Sequence, residues 1–198
     1  RATPKPSSAA SDVYKRQAVV VSGHTTTITE TAGLRLPIKS FNLAAFVSEP
    51  VKPLIDVIVN CPDLGVYLNQ SDKGELVIGG APDPGQSFRR DVKQNVFEEA
   101  VVTMLELFPA FRRLKLLRQW GGVLDIAHDA TPIISATDIP GLFVSCGWWG
   151  GFKAVPAGGY SLAHLIATGQ PHNIAAPFTL DRFHHLDFIV ESGTTTAR

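Results

Sequence analysis

A glycine-rich stretch that carries one lysine is the part of this sequence best suited to chemistry. "GWWGGFKAVPAGG" (Gly147–Gly159) holds five glycines around Lys153. It follows the apolar run "LFVSC" and precedes the helix-like run "YSLAHLIATG". Glycines allow the backbone to approach a flat or charged ligand closely, and the N-terminus of a helix carries about half a positive charge. Together with Lys153, these features predict a site for a ligand that is anionic or that becomes anionic.

The residues of this stretch leave two interpretations open. The ligand is a phosphate, a carboxylate or a ring that gains negative charge on reduction, or else the stretch is a plain strand-to-helix turn with an exposed lysine. The spacing of the glycines matches neither G-x-x-x-x-G-K-[ST] nor G-x-G-x-x-G. The stretch is therefore not one of the common phosphate-binding loops.

The elements on either side of this stretch have the order of a nucleotide-binding fold. "AVVVSG" (Ala18–Gly23) predicts a buried strand of a parallel sheet. A short helix follows, capped by Thr25–Thr27 and ended by Gly33. After the glycine stretch we expect a helix that begins near Gly158 and is closed by Gly169.

The middle of the chain has the pattern of an antiparallel sheet with one long helix. Leu36–Pro50 predicts a strand, and "VYLNQ" and "GELVIGG" predict a hairpin across the turn "SDKG". A helix with Asp91 as N-cap and Pro109 at its end follows. Its apolar stripe consists of Val92, Val96, Phe97, Ala100, Val101, Met104 and Phe108. The pair Gly121–Gly122 predicts a break between two further strands.

Composition excludes several classes of function. The chain has 198 residues, 18 basic and 18 acidic side chains and no basic stripe, so no nucleic-acid partner is expected. No apolar run reaches the length of about 18 residues that a membrane span needs. Cys61 and Cys146 are expected to be reduced thiols in a cytoplasmic protein.

The histidines and tryptophans outside the glycine stretch have ordinary structural interpretations, and no metal site is expected. His128 lies in "DIAHDA", where turn chemistry is the favoured interpretation. His164 is interpreted as a packed core histidine, and the adjacent His184 and His185 as exposed residues of a tail. Trp120 and Trp148 are interpreted as core or pocket wall.

The stretch "CGWWGGFKAVPAGGYSLAHLIATGQP" resembles the C-terminal flavin loop and helix of the D-amino-acid oxidase-like, FAD-dependent amine oxidases. Within that family it is most similar to the beta subunit of heterotetrameric sarcosine oxidase. "VVVSGHT", "LRLPIKSFNLAAFVSEPVKPLID", "QSDKGELVIGG" and "LRQWGGVLDIAHDATPII" are similar to further family segments in the same order. The resemblance runs from about Ala18 to about Phe183.

This resemblance implies an α/β (α+β) fold: part of an FAD-binding nucleotide fold plus an antiparallel-sheet substrate domain, with the N-terminal half missing. Residues 18–35 and 136–183 are assigned to the FAD-binding domain and residues 36–135 to the substrate domain. Residues 184–198 are assigned to a tail. Residues 1–17 resemble translated sequencing-adapter sequence and are set apart as a non-native or disordered leader.

The resemblance also implies an activity and a site. The family oxidises N-methyl amino acids such as sarcosine by hydride transfer from the C–N carbon to the flavin of FAD. Lys153 is assigned to the substrate carboxylate, and other sarcosine oxidase subunits are expected partners. The residues assigned to the cofactor are Gly23, Gly147, Trp149, Gly150, Gly151, Phe152 and Lys153.

Departures from the family pattern limit what the chain is expected to do alone. G-x-G-x-x-G is absent from the sequence, and the glycine loop is one residue shorter than usual, with Trp149 in place of small residues. Arg118–His128 contains no cysteine for covalent attachment of FAD, and any FMN of a heterotetramer is expected to be attached outside this chain. A non-catalytic interaction or assembly module, derived from a flavin oxidase, is the alternative function.

Overall fold

Residues 17–189, the part of the chain that this computed structural model describes, form eight strands and four α-helices. The strands are β1 (Ala18–Val21), β2 (Ile38–Pro50), β3 (Val59–Cys61), β4 (Val66–Gln70), β5 (Glu75–Gln86), β6 (Leu116–Ala127), β7 (Ile133–Ala136) and β8 (Leu142–Cys146). The α-helices are α1 (Thr25–Thr31), α2 (Gln94–Leu107), α3 (Val155–Thr168) and α4 (Asp181–His184). Short 3-10 helices span Pro62–Leu64, Pro109–Arg113, Gly151–Ala154 and Ala176–Phe178.

Within the described residues, the chain divides into two units. The first unit contains residues 17–37 and 127–189, and the second contains residues 38–126. The assignment of the first unit to flavin binding and of the second to substrate binding stays a prediction. Residues 1–16 of the predicted leader and residues 190–198 of the predicted tail lie outside the described residues.

The first unit contains a three-stranded sheet in the order β1-β8-β7. β1 runs parallel to β8, as predicted, and β7 runs antiparallel to β8. The prediction that β1 is a buried strand is wrong, because Val20 alone of its four residues is buried and Val21 is 57% exposed. Alternate side chains of a strand point to opposite faces, and in the described residues only the face of Val20 is covered on this edge strand.

The second unit contains a five-stranded sheet in the order β3-β4-β5-β2-β6. The predicted strand that ends at Pro50 and the predicted β4–β5 hairpin are confirmed, since β5 pairs antiparallel with both β4 and β2. Helix α2 covers this sheet with Val96, Phe97, Ala100 and Met104 of its predicted apolar stripe, and the rings of Phe97 and Phe46 meet edge-on with centroids 5.3 Å apart. Val92 of that stripe lies before the helix, and Val101 is not among the residues packed on the core. The buried core consists of Ala44, Phe46, Leu68, Leu76, Ile78, Val96, Ala100, Met104 and Phe111.

The predicted N-cap of α2 is wrong. The helix begins at Gln94, and Lys93 has the N-cap position with extended backbone. The carboxylate of Asp91 instead pairs with the guanidinium of Arg89 at 2.7 Å. Asp91 therefore does not cap the first turn of the helix. The amine of Lys93 pairs with the buried carboxylate of Asp83 at 2.9 Å. The predicted end of α2 just before Pro109 is confirmed.

The predicted break at the two central glycines is also wrong, because β6 continues through Gly121 and Gly122 as one strand. The amide of Gly121 donates to the carbonyl of Arg90 at 3.0 Å. A Cβ on Gly121 would lie 2.6 Å from that carbonyl oxygen and closer still to Oδ1 of Asn42. The glycine is needed for a close approach of two backbones and does not interrupt the strand.

Helix α1 begins differently from the prediction. Thr25 is its first residue and not a cap, and the Thr25 hydroxyl donates back to the carbonyl of Val21 at 3.3 Å. His24 has the N-cap position. The predicted end at Gly33 is confirmed, since this residue follows the helix with φ +76°, a left-handed conformation that favours glycine.

Candidate functional site

Two glycine turns leave the first unit's sheet at the same edge. In the parallel pair of β1 and β8, Val21 lies opposite Ser145. Gly23 follows Val21 by two residues, and Gly147 follows Ser145 by two residues. Ligands of open α/β sheets bind outside the carboxyl ends of the strands. The register thus brings together two of the predicted site residues that are far apart in the sequence.

Gly147 begins the turn after β8 and packs against Ala127, the last residue of β6. Its φ is +72°, and a Cβ at this position would lie 2.8 Å from the Cβ of Ala127. The amide of Ala127 also donates to the carbonyl of Gly147 at 3.4 Å. Only glycine fits this conformation and this contact, so the turn after β8 leaves the sheet along one fixed path.

Trp148 covers two glycines of the loop. A Cβ on Gly151 would lie 2.7 Å from the Cβ of Trp148, and a Cβ on Gly158 would lie 2.7 Å from the indole atoms Cζ2 and Cη2. The indole nitrogen of Trp148 donates to the hydroxyl of Ser145 at 3.3 Å. Trp148 is partly buried against the loop, and its interpretation as a pocket wall stays a prediction, whereas Trp120 is exposed and is not in a core.

Gly23 and Gly150 are open on the side where other residues carry a Cβ. Their φ values are +119° and +69°, and a Cβ on either would meet no atom within 4 Å. A flat ring can approach backbone of this kind without displacing a side chain. The two glycines therefore fit a flavin ring, while the Cβ sides of Gly147 and Gly151 are filled by Ala127 and Trp148.

Lys153 is exposed and lies just before the start of α3. The helix begins at Val155 and not near Gly158 as predicted, because Pro156 is favoured in a first helical turn. The first turn of α3 contains no acidic residue, and within residues 17–189 Lys153 is in none of the ion pairs. The ammonium group and the positive helix end therefore reinforce each other and favour an anionic ligand.

Two exposed aromatic side chains precede Lys153 in the same loop. Phe152 is 96% exposed and Trp149 is 43% exposed. Large apolar side chains that project into solvent beside open backbone are typical of a ligand or partner surface. All seven predicted site residues lie in the first unit, along the turns that follow β1 and β8.

The histidines outside the glycine stretch lie in separate environments of the described residues. His164 is not a core residue: it is partly exposed, and its Nδ1 lies 3.1 Å from the carbonyl oxygen of Gln170. His128, His184 and His185 are exposed. Among residues 17–189, no group of three or more His, Cys, Asp and Glu side chains is arranged to hold a metal ion.

A buried ion pair between Asp129 and Arg182 has no local signal in the sequence, since its members are 53 residues apart. The guanidinium donates to both carboxylate oxygens, at 2.8 and 3.0 Å, and to the carbonyls of Thr131 and Thr179. Burial raises the pKa of the Asp129 carboxyl, but the hydrogen bonds and charge of Arg182 outweigh it and leave that pKa below its usual value. The pair fastens residues 179–189 to the turn that follows β6.

No helix within the described ranges has both the length and the apolar character needed to cross a membrane.

Comparisons with known proteins agree with this architecture. The family model described as "FAD dependent oxidoreductase" matches residues 6–165, a range that starts within the predicted leader. Sarcosine oxidase subunit beta of Rhodobacter capsulatus is 48% identical over 176 residues, which cover 88% of this chain and 42% of that protein. The corresponding subunit of an Arthrobacter species is 43% identical, over 89% of this chain and 44% of that protein.

The chain thus spans less than half the length of these relatives. Among solved structures, L-proline dehydrogenase from P. horikoshii superimposes with a TM-score of 0.76 at 24% identity, over 84% of this chain and 47% of that chain. The predicted mixed fold of D-amino-acid oxidase-like flavoenzymes is confirmed in the part that is present. The chain belongs to the family of FAD dependent oxidoreductases.

Proposed function

We propose that the chain acts as part of an FAD-dependent oxidoreductase that oxidises N-methyl amino acids of the sarcosine kind. One observation carries the proposal: two glycine turns leave the same edge of a parallel strand pair, and Lys153 stands at the positive end of the helix that follows. The similarity to sarcosine oxidase subunit beta supports the choice of substrate class.

The open backbone at Gly23 and Gly150 supports their assignment to the flavin. Gly147 and Gly151 lie on either side of Gly150 and define the path of the turn after β8. Trp149 and Phe152 add exposed apolar side chains to the same turn. FAD is proposed over FMN because the family description names FAD; any FMN of an assembled enzyme would be attached outside these residues. When bound, FAD supplies the acceptor for the hydride that leaves the N-methyl carbon.

Lys153 is proposed to bind the substrate carboxylate. An ammonium group with no ion-pair partner among residues 17–189 keeps its charge available for a ligand. A charge-assisted hydrogen bond to a carboxylate is about twice as strong as a neutral one. The positive end of α3 adds to the attraction. Lys153 therefore orients the amino acid by its acid group and leaves the N-methyl end free to face the cofactor.

Other subunits of a sarcosine oxidase assembly are proposed as partners, because the similar proteins are named as beta subunits. A cytoplasmic location is proposed from the two free thiols, Cys61 and Cys146. The alternative of a non-catalytic assembly module has no support in the comparisons, which match oxidoreductases.

The substrate class is tested by anaerobic reduction of the flavin. The protein is expressed from its complete native reading frame, purified with its flavin and mixed with sarcosine, N,N-dimethylglycine, glycine or L-proline. Sarcosine and N,N-dimethylglycine are expected to bleach the oxidised-flavin absorbance. Dimethylamine, which is N-methylated but lacks a carboxylate, is expected to leave the absorbance unchanged. Bleaching by glycine or L-proline alone, or by none of the amino acids, would overturn the proposed substrate class.

A further inference from the structure

We propose that Trp148 is a positioning residue for Lys153, and that Gly151 and Gly158 are glycines because the indole occupies the space of their side chains. The inference rests on the proposed function in one respect, namely the role of Lys153 toward a carboxylate. The contacts that carry it belong to the loop itself.

The side chain of Trp148 contacts three elements of the loop region. Its nitrogen donates to the hydroxyl of Ser145 in β8 at 3.3 Å. Its Cβ lies where a Cβ of Gly151 would approach to 2.7 Å, at the first residue of the 3-10 turn. Its ring edge lies 2.7 Å from the Cβ position of Gly158, a buried residue in the first turns of α3. The ring thus connects the strand, the 3-10 turn and the helix.

Lys153 lies between the two glycines that the indole covers. The 3-10 turn Gly151–Ala154 is one turn long, and Phe152 and Lys153 themselves are exposed. A single 3-10 turn has weak hydrogen bonds of its own, so packing must fix it. Trp148 packs against Gly151, the first residue of the turn, and against Gly158 in the helix that follows it. This packing on both sides of Lys153 holds the backbone of the turn against the start of α3.

The surroundings of Gly158 and Gly159 show that the glycines of this loop have different structural roles. Gly151 and Gly158 leave room for Trp148, whereas a Cβ on Gly159 would meet no atom within 4 Å. Alanine is ordinarily the better helix former, so Gly159→Ala is expected to be neutral or favourable. Gly158→Ala introduces a Cβ into the space of the indole and forces the ring or the helix to shift. The two adjacent glycines are therefore a matched pair.

The packing is tested by hydrogen exchange of backbone amides in the 198-residue chain. Gly158→Ala and Trp148→Leu are each expected to speed exchange in residues 151–155 by about tenfold or more, while Gly159→Ala leaves it unchanged. Because both changes break one contact, the double variant is expected to exchange no faster than Trp148→Leu alone. Equal exchange in the two glycine variants, or effects that simply multiply in the double variant, would overturn the inference.

The effect on Lys153 is tested by kinetics of the flavin-loaded protein from the complete reading frame. Trp148→Leu is expected to raise KM for sarcosine several-fold with kcat retained. A misplaced lysine weakens binding of the carboxylate by the same amount in the ground state and in the transition state. Trp148→Phe is expected to restore part of the loss, and Trp120→Phe serves as the control. A lower kcat with unchanged KM would indicate a loss of folded enzyme only and would contradict positioning. If no N-methyl amino acid is oxidised, the proposed function fails, and the exchange comparison alone decides the packing by Trp148.

Discussion

The ion pair of Asp129 and Arg182 is a buried contact that residue types alone do not reveal. Their side chains are 2% and 4% exposed, and within residues 17–189 the guanidinium forms four hydrogen bonds. Removing one member of a buried pair leaves an uncompensated charge, which costs about 3–5 kcal/mol. Arg182→Met is therefore expected to lower the free energy of unfolding by about that amount in urea denaturation. Arg89→Met, at the exposed pair with Asp91, is the control and is expected to cost little.

The same pair predicts how stability depends on pH. The pKa of Asp129 is lowered in the folded protein, so its contribution is present above the unfolded value of about 3.9 and is lost as the pH falls through the folded value. Asp129→Asn is expected to lower stability at neutral pH and to flatten the loss of stability in acid, measured by urea unfolding across a pH series. The exposed Asp138→Asn is the matched control. An unchanged acid slope in Asp129→Asn would contradict this account of the pair.

At the scale of elements, β6 offers a prediction from two adjacent glycines. A Cβ on Gly121 would lie 2.6 Å from the carbonyl oxygen of Arg90, whereas a Cβ on Gly122 would meet no atom within 4 Å. Gly121→Ala is expected to destabilise the protein by about 1–3 kcal/mol, the usual cost of overpacking, and Gly122→Ala by less than about 0.5 kcal/mol. Chemical denaturation of the two variants measures the difference. Equal stability of both would show that the close approach at Gly121 is not needed.

Elements with a regular apolar period could be predicted from the sequence. The 3–4 spacing in α2 indicates which face of the helix is buried, and Val96, Ala100 and Met104 on that face are buried in the structure. The glycine and proline signals at Gly33, Pro109 and Gly169 predicted helix ends correctly, because they act through local backbone conformation.

Features that depend on which partner a side chain or backbone meets could not be predicted from residue type in the same way. Asp91 has the residue type of an N-cap, but Arg89 takes its carboxylate. Gly121 has the type of a strand break, but Arg90 approaches it within a continuous strand. In the candidate site, the glycines and the lysine of the loop predicted that an anionic ligand binds close to the backbone. The packing of Trp148 on Gly158 depends on the path of the loop, which spacing alone does not define.

At the scale of the whole molecule, the 198-residue chain is expected to be inactive by itself. G-x-G-x-x-G, the turn that places pyrophosphate at a helix N-terminus, is absent from its sequence. Sarcosine added to the purified chain with excess FAD is therefore expected to cause no flavin reduction above a buffer control. Robust sarcosine-dependent bleaching of FAD by this chain would contradict the prediction.

The most direct measurement of the central claim compares Lys153→Met with Lys73→Met in the flavin-loaded protein from the complete reading frame. Both lysines are exposed, but Lys73 lies in the hairpin turn of the second unit. Loss of a charge-assisted hydrogen bond of about 1.5–3 kcal/mol predicts that Lys153→Met raises KM for sarcosine by about 10- to 150-fold. Lys73→Met is predicted to leave KM unchanged. An unchanged KM in Lys153→Met would show that the loop's lysine does not bind the substrate carboxylate.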